Sequence, residues 1–168
     1  KNIDNLARYA RTIEVVPNMT VRAKLNRLGL ELVGDISWPE HAAIFSTPFK
    51  VAMETGHSLI MYGECPQAEY GGPMGSEQAM QMSRRWVTEF GGFLGLRPSD
   101  FVGMEGITER DMDDYIITDE LSAEYTEAHF LGQYIPWDSD RNANASKAHG
   151  MIQEKPSPAN YWDHENLD

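Results

Sequence analysis

Two carboxylates and a lone thiol stand together in the stretch His57 to Ser76, HSLIMYGECPQAEYGGPMGS. The apolar run Leu59-Ile60-Met61-Tyr62 stops at Gly63, and Glu64, Cys65, Gln67 and Glu69 follow at once. A carboxylate in such a loop can bind a metal or a substrate amine, or act as a general base. Cys65 has the chemistry of a nucleophile, but no helper is visible near it in the sequence, and burial as a small thiol is the commoner fate. Tyr70-Gly71-Gly72-Pro73 lets the backbone approach a ligand closely, because glycine has no Cβ. The competing description is a set of solvated loop carboxylates, which covers most surface glutamates. Position favours the chemical reading. Glu64 directly follows a strand end, and in α/β folds ligands sit beyond the carboxyl ends of strands.

A second constellation lies at Trp137-Asp138, just past the apolar stretch His129 to Ile135. If the two apolar runs are parallel neighbours, both loops leave the same sheet edge, and Glu64 and Asp138 share one cleft. Asp138 is equally suited to cap the helix that follows it. The segment DSDRNANASKAH, Asp138 to His149, starts like a calcium loop, with side-chain oxygens at Asp138, Asp140, Asn142 and Asn144. It then departs from one, with Ala143 where the turn glycine belongs and His149 where the bidentate carboxylate belongs, so a capped, solvated helix is the better description. Taken from residue types alone, Glu64, Glu69 and Asp138 also allow a metal-dependent hydrolase. His41, His129 and His149 are scattered and read as hydrogen-bonded structural histidines.

The elements that must position these groups follow from periodicity. Arg11 to Asn18 resembles a short strand stopped by Pro17. Val21, Leu25, Leu28 and Leu32 recur at helical spacing, which predicts a helix over Met19 to Val33. Pro39 suits a helix start with Ser37 near it, and Pro48 suits a kink or the first turn of a second helix capped by Thr47. Gly56 ends that helix, and His57 to Tyr62 is a strand. Beyond the loop, Glu77 to Phe90 carries Ala79, Met82, Trp86 and Phe90 on one helical face. Thr108 to Asp114 and Asp119 to Ala128 read as short helices, and Gly150 stops the helix that Asp138 or Ser139 begins. The order strand, helix, helix, strand favours a parallel α/β arrangement, here one domain over 1–168 with an irregular tail from 151.

The chain has 168 residues, enough for a sizeable core, and a formal net charge of −12, which argues against non-specific binding to nucleic acid or an anionic membrane. One cysteine excludes an internal disulfide framework and a multi-cysteine zinc site within one chain. A reducing, cytoplasmic setting is the default. There is no phosphate-loop, dinucleotide-binding or zincin motif, no apolar run of membrane-spanning length and no signal-peptide pattern. Both ends look cut, as if the chain were a fragment of something longer.

Several stretches, taken in order, resemble the N-acetyl sugar amidotransferases of lipopolysaccharide and surface-polysaccharide synthesis. They are NIDNL, IFSTPFKVA, LIMYGECPQAEYGGP, WVTEFGGFLGLRPSD, FLGQYIPWDSDRNANASKAHG and YWDHENLD. The resemblance spans nearly the whole chain. It implies an ATP pyrophosphatase fold, a parallel-sheet α/β sandwich of the adenine nucleotide alpha-hydrolase-like type, incomplete here at both ends. It implies that ATP, with Mg, adenylates the oxygen of a sugar acetamido group, and that ammonia from a glutaminase subunit then replaces that oxygen to give an acetamidino group. The carrier-linked N-acetylated sugar would meet Glu64 and Asp138 as catalytic groups, and Gly63, Cys65, Gln67, Glu69, Tyr70, Gly71, Gly72, Trp137 and Asn142 as binding groups. A homo-oligomer is compatible with this.

The family has Asn where this chain has Cys65, so an amide contact at that position is not carried over. The family's pyrophosphate loop, a Ser-Gly-Gly-x-Asp-Ser turn, does not occur in these residues, so neither ATP nor Mg is expected to bind this chain tightly by itself. The simplest account is the middle and later part of the enzyme. A natural short relative with a binding or scaffolding role is the second account.

Overall fold

The computed structural model describes residues 2–63, 84–89, 91–117 and 126–152. The chain divides into two compact units, residues 15–135 and residues 1–14 with 136–168. The described part of the larger unit is mixed helix with a small two-stranded parallel sheet, an α/β arrangement. Among the described residues no helix is long and apolar enough to cross a membrane.

In the larger unit, α2 (Met19–Val33) follows α1 (Asn2–Leu6) of the smaller one. It begins where the Asn18 side chain accepts hydrogen bonds from the Thr20 and Val21 amides at 3.0 and 3.4 Å. It buries Val21, Leu25 and Leu28, one helical stripe, and ends at Gly34 in the left-handed region, φ 77°. The connection to α3 (Trp38–Thr55) is tight. Asp35 Oδ1 accepts from the Ser37 amide at 2.8 Å, and a Cβ on Gly29 would lie 2.6 Å from both Asp35 O and Trp38 Cβ.

The helix α3 runs unbroken through Pro48, where the sequence allowed a second helix to begin. Proline inside a helix costs about 3 kcal/mol. The buried face Trp38, Ala42, Phe45, Phe49 and Ala52 continues across it, and each large apolar side chain taken out of water contributes about 1.5–3 kcal/mol, so packing outweighs the local loss. Trp38 is fully buried. Its indole N–H donates to the Phe93 carbonyl at 3.0 Å, and its ring meets Phe93, Phe101 and Tyr115 at centroid distances of 5.9, 4.4 and 6.1 Å. Burial pushes the Tyr115 phenol up to about 12, so it stays neutral in the core.

The strand β1 (Leu59–Tyr62) pairs parallel with β2 (Glu127–Phe130) in the register Leu59–Glu127, Ile60–Ala128, Met61–His129, Tyr62–Phe130. Ile60, Tyr62, Ala128 and Phe130 face the core, and the Tyr62 hydroxyl donates to the Phe45 carbonyl at 3.2 Å. Leu59, Met61 and Glu127 alternate with them and are exposed. Between the strands lie α4 (Arg84–Glu89), α5 (Glu109–Met112) and short 3-10 turns, including Pro98–Phe101, Met104–Gly106 and Asp113–Tyr115. Thr108 caps α5 and exchanges hydrogen bonds with Asp111.

Three expected elements differ. Residues 11–18 form no strand and Arg11 to Val16 are exposed; an alternating pattern makes a strand only when a neighbour completes its ladder. The second strand starts earlier than its apolar run and stops at Phe130, so Glu127 and Ala128 belong to a strand rather than to a helix end, and Leu131–Gln133 is a 3-10 turn. Of the helix expected over Glu77 to Phe90, residues 84–89 are described and helical, and the side chain of Trp86 lies outside the described residues, as do residues 118–125.

In the smaller unit, α6 (Ser139–Ala148) follows its cap Asp138. The Asn2 side chain hydrogen-bonds both the carbonyl and the amide of Ile152, at 3.0 and 2.9 Å, and Asn5 donates to the His149 carbonyl at 2.9 Å.

Gly92 lies against the α3 backbone, where an added Cβ would meet the His41 carbonyl oxygen at 2.3 Å. Gly92→Ala is expected to lower stability by about 1–3 kcal/mol in a denaturant titration, as overpacking does. Gly63→Ala, where an added Cβ meets nothing within 4 Å among the described residues, should leave the midpoint unchanged.

Glu105 adopts φ 51°, unusual for a residue with a side chain, and is held there from α2. Arg27 pairs with its carboxylate, through Nε to Oε1 at 3.0 Å and through Nη2 to Oε2, and Lys24 Nζ donates to its carbonyl at 2.7 Å. The Arg27 hydrogen bond holds the Glu105 carboxyl below its ordinary 4.5, and the Thr108 hydroxyl holds Asp111 below 3.8. Both shifts favour the folded state at neutral pH, and this contribution is lost as pH falls from the ordinary values through the lower folded ones. The urea midpoint is expected to drop across that acid range, with a shallower drop in Glu105→Gln.

Candidate functional site

Gly63 directly follows β1, is exposed, and an added Cβ there would meet nothing within 4 Å among the described residues. Because β1 and β2 are parallel and in register to Tyr62–Phe130, Gly63 and Leu131 leave the sheet at the same edge. Two core strands thus run parallel and open to one side. Glu64, Cys65, Gln67, Glu69, Tyr70, Gly71 and Gly72 lie outside the described residues.

Asp138 does not directly follow a strand; β2 ends at Phe130, and Leu131, Tyr134 and Ile135 are exposed rather than core. Asp138 is the N-cap of α6, its Oδ1 accepting from the Arg141 amide at 2.8 Å. Arg141 also donates through Nη2 to the Pro136 carbonyl. Trp137 is exposed, its indole N–H donating to Ser139 Oγ at 3.3 Å, and Asn142, half-buried, stands in the first turns of α6. Asp138 to Ala148 is thus a capped helix, not a calcium loop. Trp137, Asp138 and Asn142 belong to the smaller unit and Gly63 to the larger.

Two groupings that sequence reasoning did not single out lie in the larger unit. One is a cleft of roughly 1090 Å³ with apolar walls that include Phe93, Val102, Met112 and Ile116. Its charged lining among the described residues is Arg97 with Glu89, Glu109 and Asp113. One guanidinium among three carboxylates does not make a triphosphate cradle, and among the described residues no group of three or more His, Cys, Asp or Glu side chains is placed to hold a metal.

The other grouping is on the sheet. His129 hydrogen-bonds through Nε2 to Glu127 Oε2 at 3.2 Å and through Nδ1 to the Tyr134 hydroxyl at 2.6 Å. The imidazole and phenol rings lie 5.9 Å apart. The sequence signal was available: Glu127 and His129, two apart on a strand, share one face, and Tyr134 follows at the strand's end. Reading His129 as the start of an apolar run hid it.

No family model and no curated protein matches the chain.

The cap geometry separates two roles for Asp138. Asp138→Asn keeps an oxygen that can accept from the Arg141 amide and should leave thermal melting of α6 unchanged. Asp138→Ala should cost about 1 kcal/mol, read as a lower helical melting midpoint by circular dichroism.

Proposed function

We propose that this chain is part of an ATP-dependent amidotransferase that converts a sugar acetamido group into an acetamidino group during surface-polysaccharide synthesis. The observation that carries this reading is the parallel pair β1–β2, whose common edge opens at Gly63 into the Gly-Glu-Cys-Pro-Gln stretch of the family resemblance. A strand end that empties into a glycine-rich, carboxylate-bearing loop is where an α/β fold holds its ligand. The fold that goes with this reading is the adenine nucleotide alpha-hydrolase-like sandwich, in which further strands and helices complete the sheet. The setting is cytoplasmic. ATP and Mg enter through the resemblance, and ammonia comes from a glutaminase partner.

In this reading Glu64 orients the incoming nitrogen or the sugar hydroxyls, since a carboxylate accepts several hydrogen bonds. Asp138 serves as the cap of α6. Gln67, Glu69, Tyr70 and the Gly71-Gly72 turn shape the sugar site. Water must be kept out so that ammonia, rather than hydroxide, captures the activated carbon.

The test uses protein expressed from the whole reading frame, with ATP, magnesium, ammonium chloride and an N-acetylated sugar nucleotide. The expected product is a sugar whose amide oxygen is replaced by nitrogen, detected by mass spectrometry, together with pyrophosphate. Glu64→Gln should fold normally and lower the rate constant. The 168-residue chain alone should release no pyrophosphate. Sustained release by the chain alone, or absence of the amidino product from the whole-frame protein, would refute the proposal.

A further inference from the structure

We propose that Glu127, His129 and Tyr134 form a proton relay on the open face of the sheet, with the Tyr134 hydroxyl as the general base for a nitrogen nucleophile. The hydrogen-bond pattern sets the direction. A carboxylate only accepts, so the His129 nitrogen facing Glu127, Nε2, carries the proton. In the neutral ring Nδ1 then has a free lone pair, and it accepts from the Tyr134 hydroxyl at 2.6 Å. That is the arrangement of an activated hydroxyl: an acceptor base against the O–H, and a carboxylate behind the base to balance the imidazolium. The middle member is shielded and the outer members are not. The His129 side chain is 12% exposed and that of Glu127 67%, while Tyr134 is 50% exposed. A relay needs that distribution, since the base is held dry while its working end meets the ligand.

The fold explains the placement. Strand alternation puts Glu127 and His129 on the outer face while Ala128 and Phe130 go to the core. The 3-10 turn Leu131–Gln133 brings Tyr134 back over His129. Opposite them in register are Leu59 and Met61, both exposed, which give a ligand an apolar seat beside the phenol. Tyr134 follows β2 at the end from which Gly63 departs, while Glu127 and Leu59 stand at the opposite end of the two strands.

The nucleophile's identity rests on the amidotransferase reading; the relay does not. As the nitrogen lone pair closes on the activated amide carbon, an N–H proton passes to the Tyr134 oxygen. The Tyr134 proton passes to Nδ1 of His129, and Glu127 holds the resulting imidazolium through Nε2–H. The bond from that carbon to its activated oxygen then breaks, the electron pair leaving with the oxygen.

The test is site-resolved acetylation of the 168-residue chain by N-acetylimidazole, read by peptide mass spectrometry. Tyr9 is the internal control: it is 60% exposed, and its hydroxyl donates to a backbone carbonyl, that of His149, at 3.3 Å. Tyr134 is expected to react at least about tenfold faster than Tyr9, given what a positioned base contributes. His129→Gln should bring Tyr134 down to the rate of Tyr9. Glu127→Gln, at an exposed position, should lower the rate several-fold with an unchanged melting temperature, a split that a purely structural role would not produce. If His129→Gln fails to fold, Glu127→Gln decides. Equal rates at Tyr134 and Tyr9, or a Tyr134 rate untouched in a folded variant, overturn the relay whatever the protein does. A fast Tyr134 in a protein that makes no amidino sugar supports the relay and refutes the amidotransferase reading.

Discussion

The larger unit is organised around one buried indole. Trp38 starts α3, and its N–H is the kind of polar group that cannot be left dry without a partner. The partner is a main-chain carbonyl, that of Phe93, far away in sequence. One hydrogen bond therefore ties the start of a helix to the Gly91-to-Arg97 segment, and three aromatic rings close around it. Two close approaches depend on the same spot. Gly29 lets α2 reach Trp38, and Gly92 lets the Phe93 segment reach the α3 backbone at His41. Remove the indole and both approaches lose their reason.

A second constraint keeps the loop after Phe101 in place. Glu105 sits in the left-handed region, a backbone state that costs of order 1–3 kcal/mol and persists only when its surroundings hold it. Arg27 and Lys24, one helical turn apart on α2, do so from both the side chain and the carbonyl. These contacts are exposed and each is worth little singly. Together they define one geometry for the loop that precedes α5.

The sheet contributes differently to core and surface. Its inner face is packing, with Tyr62 between Phe45 and Phe130 at 5.7 Å from each ring. Its outer face carries titratable groups beside exposed apolar ones. The same two-residue alternation that sends Phe130 inward sends His129 outward to Glu127 and Tyr134. Candidate chemistry here is a by-product of register, since a one-residue slip would exchange the two faces.

Much of the local structure was legible in the sequence. The bounds of α2, the glycine stop at Gly56, the strand before Gly63 and the cap at Asp138 all follow from short-range rules of periodicity and capping, and neighbours in the chain suffice to apply them. The parallel pairing of the two apolar runs was a condition of the sequence reading and not its result, because strands so far apart in the chain can pair in either direction. What the sequence did not decide was anything needing a partner distant along the chain. Arg11 to Val16 alternates like a strand yet lacks a ladder. Pro48 looked like a break yet is carried through by the apolar face of α3. His129 looked like the beginning of a core run and instead faces outward between a glutamate and a tyrosine. In each case the local pattern permits two outcomes of similar energy, and only burial and hydrogen bonding against a distant segment, which tertiary structure supplies, separates them.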